Sequence, residues 1–142
     1  MAQELLSNDT DARYHNGDGA VKVIKAYVRR SRIDDVVHGP KKLGVKAMSV
    51  IPVEGIGALD DPQASGLSLN YVTHYSLVSK LEIVCREHDT ENTVRTLTDY
   101  AWTGMKGDGV MFVSDIERAI KIRSGQVGEF ALDCPSEDMM TL

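Results

Sequence analysis

The chain is poor in cysteine, proline and aromatic residues, with two Cys, four Pro and only 6% Phe, Trp and Tyr together. Cys85 and Cys134 lie far apart and have no metal-ligand spacing, which excludes a disulfide-stapled scaffold and a cysteine metal knuckle. No apolar run approaches the roughly 18 residues a membrane-crossing helix needs. Basic residues are not in excess: 16 Lys and Arg against 21 Asp and Glu leave a net charge of −5. The global positive field of a nucleic-acid coat protein is therefore missing. The segment Met1-Ala2-Gln3-Glu4-Leu5-Leu6 lacks the basic-then-apolar layout of a secretory leader. These absences predict a cytoplasmic protein that neither spans a membrane nor binds nucleic acid. What is present, 42% hydrophobic residues over 142 positions, suffices for one domain with a real core.

Residues 1–20 are polar and rich in Gly, Asp and Asn with no core-forming period, and read as a flexible arm. From Val21 to Val28 a mostly apolar strand is expected, buried on more than one side. Ile33-Asp34-Asp35-Val36-Val37 reads as a helix start. Gly39-Pro40 follows, and an interior Pro costs about 3 kcal/mol, so a kink or displaced start is expected. Val45 to Val53 reads as a second strand, with Pro52 marking its end or a sheet edge. A long connection follows, too long for an ordinary loop. Val78 to Cys85 is a third strand, and Asp89 or Thr90 is expected to cap a second helix carrying Val94, Leu97 and Ala101 on one stripe. Val110 to Val113 is a fourth strand. The order β-α-β, long loop, β-α-β is that of an α+β, ferredoxin-like βαββαβ subunit, an antiparallel sheet with both helices on one face. The other face then needs a partner, which self-association supplies.

Two motifs carry chemistry. Thr103-Gly104-Met105-Lys106-Gly107-Asp108-Gly109 lies between a helix and a strand. It is either a plain helix cap and turn or a nest of inward N–H groups that cradles phosphate. In Lys121-Ile122-Arg123-Ser124-Gly125 the two cations are two apart, so on extended chain they share one side, which suits a polyphosphate. A solvated basic strand is the alternative.

Residues 21–132 resemble the PII signalling proteins. The resemblance is carried by Arg32-Ile33-Asp34-Asp35-Val36, Leu43-Gly44-Val45-Lys46-Ala47-Met48-Ser49-Val50, Val53-Glu54-Gly55-Ile56-Gly57 and Lys80-Leu81-Glu82-Ile83-Val84. The two motifs above, extended through Val113 and back to Ala119, complete it. It implies a homotrimer with an adenine-nucleotide site in each cleft between subunits. Gly107, Asp108 and Gly109 of a phosphate loop 103–110 would wrap the phosphates, joined by Lys121 and Arg123. Gly55 and Gly57 would lie at the base of a long loop 57–76, and Ser49, Glu82 and Val84 would line the adenine and ribose pocket. The long loop would dock on a target transporter or enzyme. No covalent cofactor, metal or catalytic residue is implied.

Departures from the nitrogen-sensing pattern direct the reading further. Leu59 replaces the Gln that helps hold magnesium and 2-oxoglutarate, and Val78 replaces a Lys that pairs with the 2-oxoglutarate carboxylate. Val110 replaces a terminal-phosphate Lys, Ala58 an Arg, and Lys121 the first Arg of its motif. Each lost charge-assisted bond is worth about 1.5–3 kcal/mol, which favours AMP and ADP over ATP. The set is compatible with relatives tied to inorganic-carbon uptake and carboxysomes, with bicarbonate as second ligand. A nitrogen regulator sensing ATP and 2-oxoglutarate is the alternative, and a small nucleotide-hydrolysing enzyme a more distant one. Tyr71 matches the position of a tyrosine that some members have nucleotidylated, although packing of the loop explains it as well. Cys85 is expected to pack as a small hydrophobe, while Cys134, in a tail spanning 133–142, is a free thiol or else pairs with Cys85 or across a subunit as a redox latch. Arg29, Arg30 and Arg32 read as a solvated basic patch, and the scattered His15, His38, His74 and His88 make no metal site.

Overall fold

The computed structural model describes residues 20–64 and 75–132. The Tyr71 and Cys134 expectations, the N-terminal arm and the 133–142 tail lie outside them. Four strands, β1 (Val21–Arg29), β2 (Ala47–Ile56), β3 (Tyr75–Arg86) and β4 (Gly109–Ile116), form one sheet in the order β2-β3-β1-β4. Every neighbouring pair is antiparallel. Two helices, α1 (Ile33–Lys42) and α2 (Thr90–Ala101), complete the α+β ferredoxin-like arrangement expected from the element order.

The period-2 pattern of β1 and β3 explains the layering. Ile24, Ala26 and Val28 of β1 and Leu81, Ile83 and Cys85 of β3 are buried in one core with Val36 of α1 and Leu97 of α2. The register opposes Ala26 to Leu81 and Ile24 to Ile83, so these side chains share one face. The alternate residues Lys25, Tyr27, Lys80 and Glu82 are only partly buried on the other face. There the Tyr27 and Phe112 rings meet edge to face at 6.0 Å, and Phe112 and Ile51 are exposed. This partly exposed side is the open face of the sheet.

Local expectations met mixed outcomes. Pro52 does lie on an edge strand, but β2 continues past it to Ile56. Pro40 does not displace the start of α1, which begins at Ile33 after a 3-10 turn over Arg30–Arg32 and carries the proline in its last turn. Gly39 has a packing reason: a Cβ there would sit 2.7 Å from Thr96 Cγ2, so the glycine permits close approach of α1 and α2. The expected side-chain cap at Asp89 is not made. A 3-10 turn over Glu87–Asp89 leads into α2 instead. The Thr90 hydroxyl donates to the Arg86 carbonyl at 3.2 Å, and the Thr93 hydroxyl to the Asp89 carbonyl at 2.8 Å.

Candidate functional site

The glycine loop connects α2 to β4 and is built around one carboxylate. Asp108 Oδ2 accepts the backbone N–H groups of Thr103 (2.8 Å) and Gly104 (2.9 Å). Its Oδ1 accepts the Thr103 hydroxyl and Arg29 Nε, the latter at 3.2 Å. Burial pushes the Asp108 carboxyl up, but the Thr103 hydroxyl, the two backbone donors and the Arg29 guanidinium outweigh it and hold the group down at about 2. Asp108 thus braces its own loop from within. Two glycines are obligatory here. Gly109 has φ +115°, and a Cβ on it would lie 1.8 Å from the Tyr27 carbonyl oxygen. Gly107 has φ +100°, and a Cβ on it would lie 2.6 Å from Asp61 Oδ1.

That second contact shows where the connecting segment goes. After β2 the chain makes a 3-10 turn over Gly57–Leu59, and Asp61 then comes to Arg29 at the end of β1. Arg29 Nη1 donates to Asp61 Oδ1, and Nη2 to the carbonyls of Met105 (3.4 Å) and Lys106. Arg29 is 4% exposed and Asp61 3%. The expectation of a solvated patch at Arg29 is therefore corrected: only Arg30 of the three is well exposed, and Arg32 pairs with Asp35 at 3.1 Å and donates to the Tyr100 carbonyl. A cavity of about 540 Å³ beside this cluster is walled by Arg30, Ser31, Asp61, Tyr75 and Ser76.

Gly55 and Gly57 lie at the same end of the sheet as the glycine loop, since Gly55 opposes Ser76 while β1 ends at the Arg29–Val78 pair. A Cβ on Gly55 would meet the Leu59 carbonyl oxygen at 2.2 Å and Val78 Cγ2 at 3.2 Å. Two of the departing residues, Leu59 and Val78, thus converge on this glycine. Ser49 and Glu82 are cross-strand partners on the open face, and Val84 follows two residues on from Glu82. Glu82 is engaged by Lys80 at 2.8 Å, whose hydrogen bond draws the carboxyl below its ordinary value. Lys80 Nζ also lies 5.8 Å from the Tyr27 ring centroid.

Lys121 and Arg123 are placed differently from the sequence expectation. Residues 121–124 are not extended: Gly125 N donates to the Lys121 carbonyl at 2.8 Å, and a bridge between Ile120 and Val127 closes a hairpin. Ile122 at its tip is fully exposed. The hairpin follows β4, which leaves the glycine loop at the Val28 end and reaches Ile116 opposite Val21. Eight residues of strand span roughly 27 Å. Glu129, just beyond the hairpin, lies 3.8 Å from Arg86 at that far end. Within one subunit the structure thus brings Gly55, Gly57, Gly107, Asp108 and Gly109 to one end of the sheet, sets Ser49, Glu82 and Val84 on its open face, and carries the hairpin cations off the opposite end.

Among the described residues no group of His, Cys, Asp and Glu is placed to hold a metal, and no helix is long and apolar enough to cross a membrane. Cys85 is a buried free thiol whose pKa burial raises.

Comparison with known proteins agrees with the fold. The family model described as "Nitrogen regulatory protein P-II" matches residues 21–126. Nitrogen regulatory protein P-II 1 of Methanothermobacter thermautotrophicus is 32% identical over 79% of this chain and 97% of its own length. GlnK2 of Haloferax mediterranei is 29% identical over 81% and 94%. Among solved structures, Arabidopsis thaliana PII bound to citrate superimposes with a TM-score of 0.66 at 27% identity, covering 83% of this chain and 94% of that one. The B. subtilis GlnK–ATP complex has a TM-score of 0.67 at 24% identity, covering 82% and 100%, a likeness of fold. The chain belongs to the P-II family of regulatory proteins.

Proposed function

We propose that this P-II family member is a non-catalytic, homotrimeric sensor of adenine nucleotides, binding them in clefts between subunits and reporting occupancy through the 57–76 segment to a target transporter or enzyme. The observation that carries the reading is the separation just described. The Gly107–Gly109 loop and the Lys121–Arg123 hairpin leave opposite ends of one sheet. A phosphate chain that uses both therefore takes them from two copies. The fully exposed Ile122 between the cations and the open sheet face carrying Phe112 and Ile51 supply apolar surface for that assembly.

In this reading the backbone of Gly107, Asp108 and Gly109 wraps the phosphates, with Gly55 and Gly57 beside them. Lys121 and Arg123 of a neighbouring copy supply charge, and Ser49, Glu82 and Val84 line the adenine and ribose pocket. ADP and AMP are the favoured ligands, ATP the weaker one, because the terminal-phosphate position is Val110. Around Gly55, Leu59 and Val78 offer neither the amide nor the cation that a dicarboxylate needs. A small anion, bicarbonate, is the second ligand, and inorganic-carbon metabolism the setting.

A second reading, a nitrogen regulator sensing ATP and 2-oxoglutarate, is favoured by the nitrogen-regulatory names of the relatives. Calorimetric titration with AMP, ADP and ATP-magnesium, each with and without bicarbonate or 2-oxoglutarate, separates the two. ADP or AMP binding altered by bicarbonate and indifferent to 2-oxoglutarate supports the first. ATP binding strengthened by 2-oxoglutarate supports the second.

A further inference from the structure

Arg29 joins two segments that the chain keeps apart. Its guanidinium contacts Asp61, 32 residues away, and Asp108, 79 residues away, as well as the carbonyls of Met105 and Lys106. One buried cation thus faces two carboxylates, so the cluster is already one positive charge short. The two acids are not held equally. Asp108 has Thr103 N–H, the Thr103 hydroxyl, Gly104 N–H and Arg29. The Asp61 carboxylate has Arg29 and the Gln63 N–H at 3.1 Å, while its backbone N–H donates to Ser76 Oγ at 2.6 Å. Gly107 sits directly on the Asp61–Arg29 pair, its Cβ position lying 2.6 Å from Asp61 Oδ1 and 3.1 Å from Arg29 Nη1.

We propose that Arg29 is the positioning residue that couples phosphate binding to the base of the 57–76 segment. A phosphate on the Gly107–Gly109 loop and the Asp61 carboxylate are rival anions for the field of one buried guanidinium. Nucleotide binding therefore weakens the docking of Asp61, and docking weakens nucleotide binding by the same factor. Like charges near a buried pair such as Arg29 and Asp61 repel more strongly than in bulk water, and the less firmly held acid is the one that yields. The inference rests on the nucleotide reading above and adds the direction in which occupancy moves the segment.

The test uses the full chain and Asp61→Asn, which keeps an acceptor for Gln63 N–H and removes only the charge. ADP and AMP are titrated by calorimetry, and backbone hydrogen exchange is followed over residues 57–64 with and without ADP. In the unchanged protein ADP is expected to speed exchange over 57–64. Asp61→Asn is expected to bind ADP about fivefold tighter or more, with a smaller gain for AMP, and to show a diminished exchange response. Ser76→Ala loosens the docked segment without altering any charge and is expected to tighten ADP binding as well. It serves where the first variant fails to fold. Unchanged or weaker ADP binding in the folded variants, or an unaltered exchange response, overturns the coupling while leaving the nucleotide reading intact. Absence of adenine-nucleotide binding to the unchanged protein overturns both.

Discussion

Arg29 Nε and Asp108 Oδ1 meet at 3.2 Å across 79 residues of chain, joining the end of the central strand to the middle of the glycine loop. The contact makes the carboxylate of the expected phosphate loop an internal brace. Its loop is held from inside by Thr103, Gly104 and Arg29 before any anion arrives.

The brace should be visible in acid. Asp108 titrates at about 2 in the folded protein, below its ordinary value of 3.8. A depressed carboxyl stabilises the fold fully above the ordinary value and loses that contribution as pH falls from about 4 to about 2. Urea unfolding of Asp108→Asn is expected to show a loss of about 1–3 kcal/mol at neutral pH. Its stability should also fall less steeply than that of the unchanged protein over the acid window.

Glycine replacements should differ by position. Gly109→Ala drives a methyl into the Tyr27 carbonyl at a positive φ, so a loss of at least about 3 kcal/mol or failure to fold is expected. At Gly57 nothing lies within 4 Å of the added Cβ, although φ is +65°. Gly57→Ala should cost only about 1 kcal/mol of backbone strain. Denaturation midpoints of the two variants, compared side by side, check the contrast.

Assembly should depend on the hairpin tip. Ile122 is fully exposed in the single chain, and Ile122→Asp places a charge where the proposed assembly buries an apolar side chain. Sedimentation analysis is expected to show the variant dissociating at concentrations where the unchanged chain remains a trimer, with its circular dichroism unaltered.

The thiol of Cys85 should be inert in the native state. It is 5% exposed within the core cluster, and burial raises its pKa. Alkylation of this residue, followed by peptide mass analysis at pH 8, is expected only when denaturant is added.

Much of this architecture was legible because it rests on local periodicity. The apolar, β-rich runs at Val21–Val28, Val45–Val53, Val78–Cys85 and Val110–Val113, the helix start at Ile33–Val37 and the Val94–Leu97–Ala101 stripe place four strands and two helices. The antiparallel order then follows from connection rules. The Arg29 cluster was not legible, because its partners are distant in sequence and three arginines within four residues look like a solvated patch. The signals were Asp61-Pro62 shortly after Gly55-Ile56-Gly57 and a lone acid between two glycines. The bend at Lys121–Ser124 was announced by Ser124-Gly125, a turn signal that the two-residue spacing of the cations masked. At Asp89 local propensity favoured a side-chain cap, but the preceding 3-10 turn and the threonine hydroxyls bonded to Arg86 and Asp89 carbonyls shape that junction instead.

The most direct test of the shared nucleotide site is calorimetric titration of ADP into the unchanged protein and into Arg123→Ala. Loss of a charge-assisted phosphate contact should weaken binding about tenfold or more. Equal ADP affinity in the two proteins would contradict the claim that the hairpin of one copy completes the phosphate loop of another.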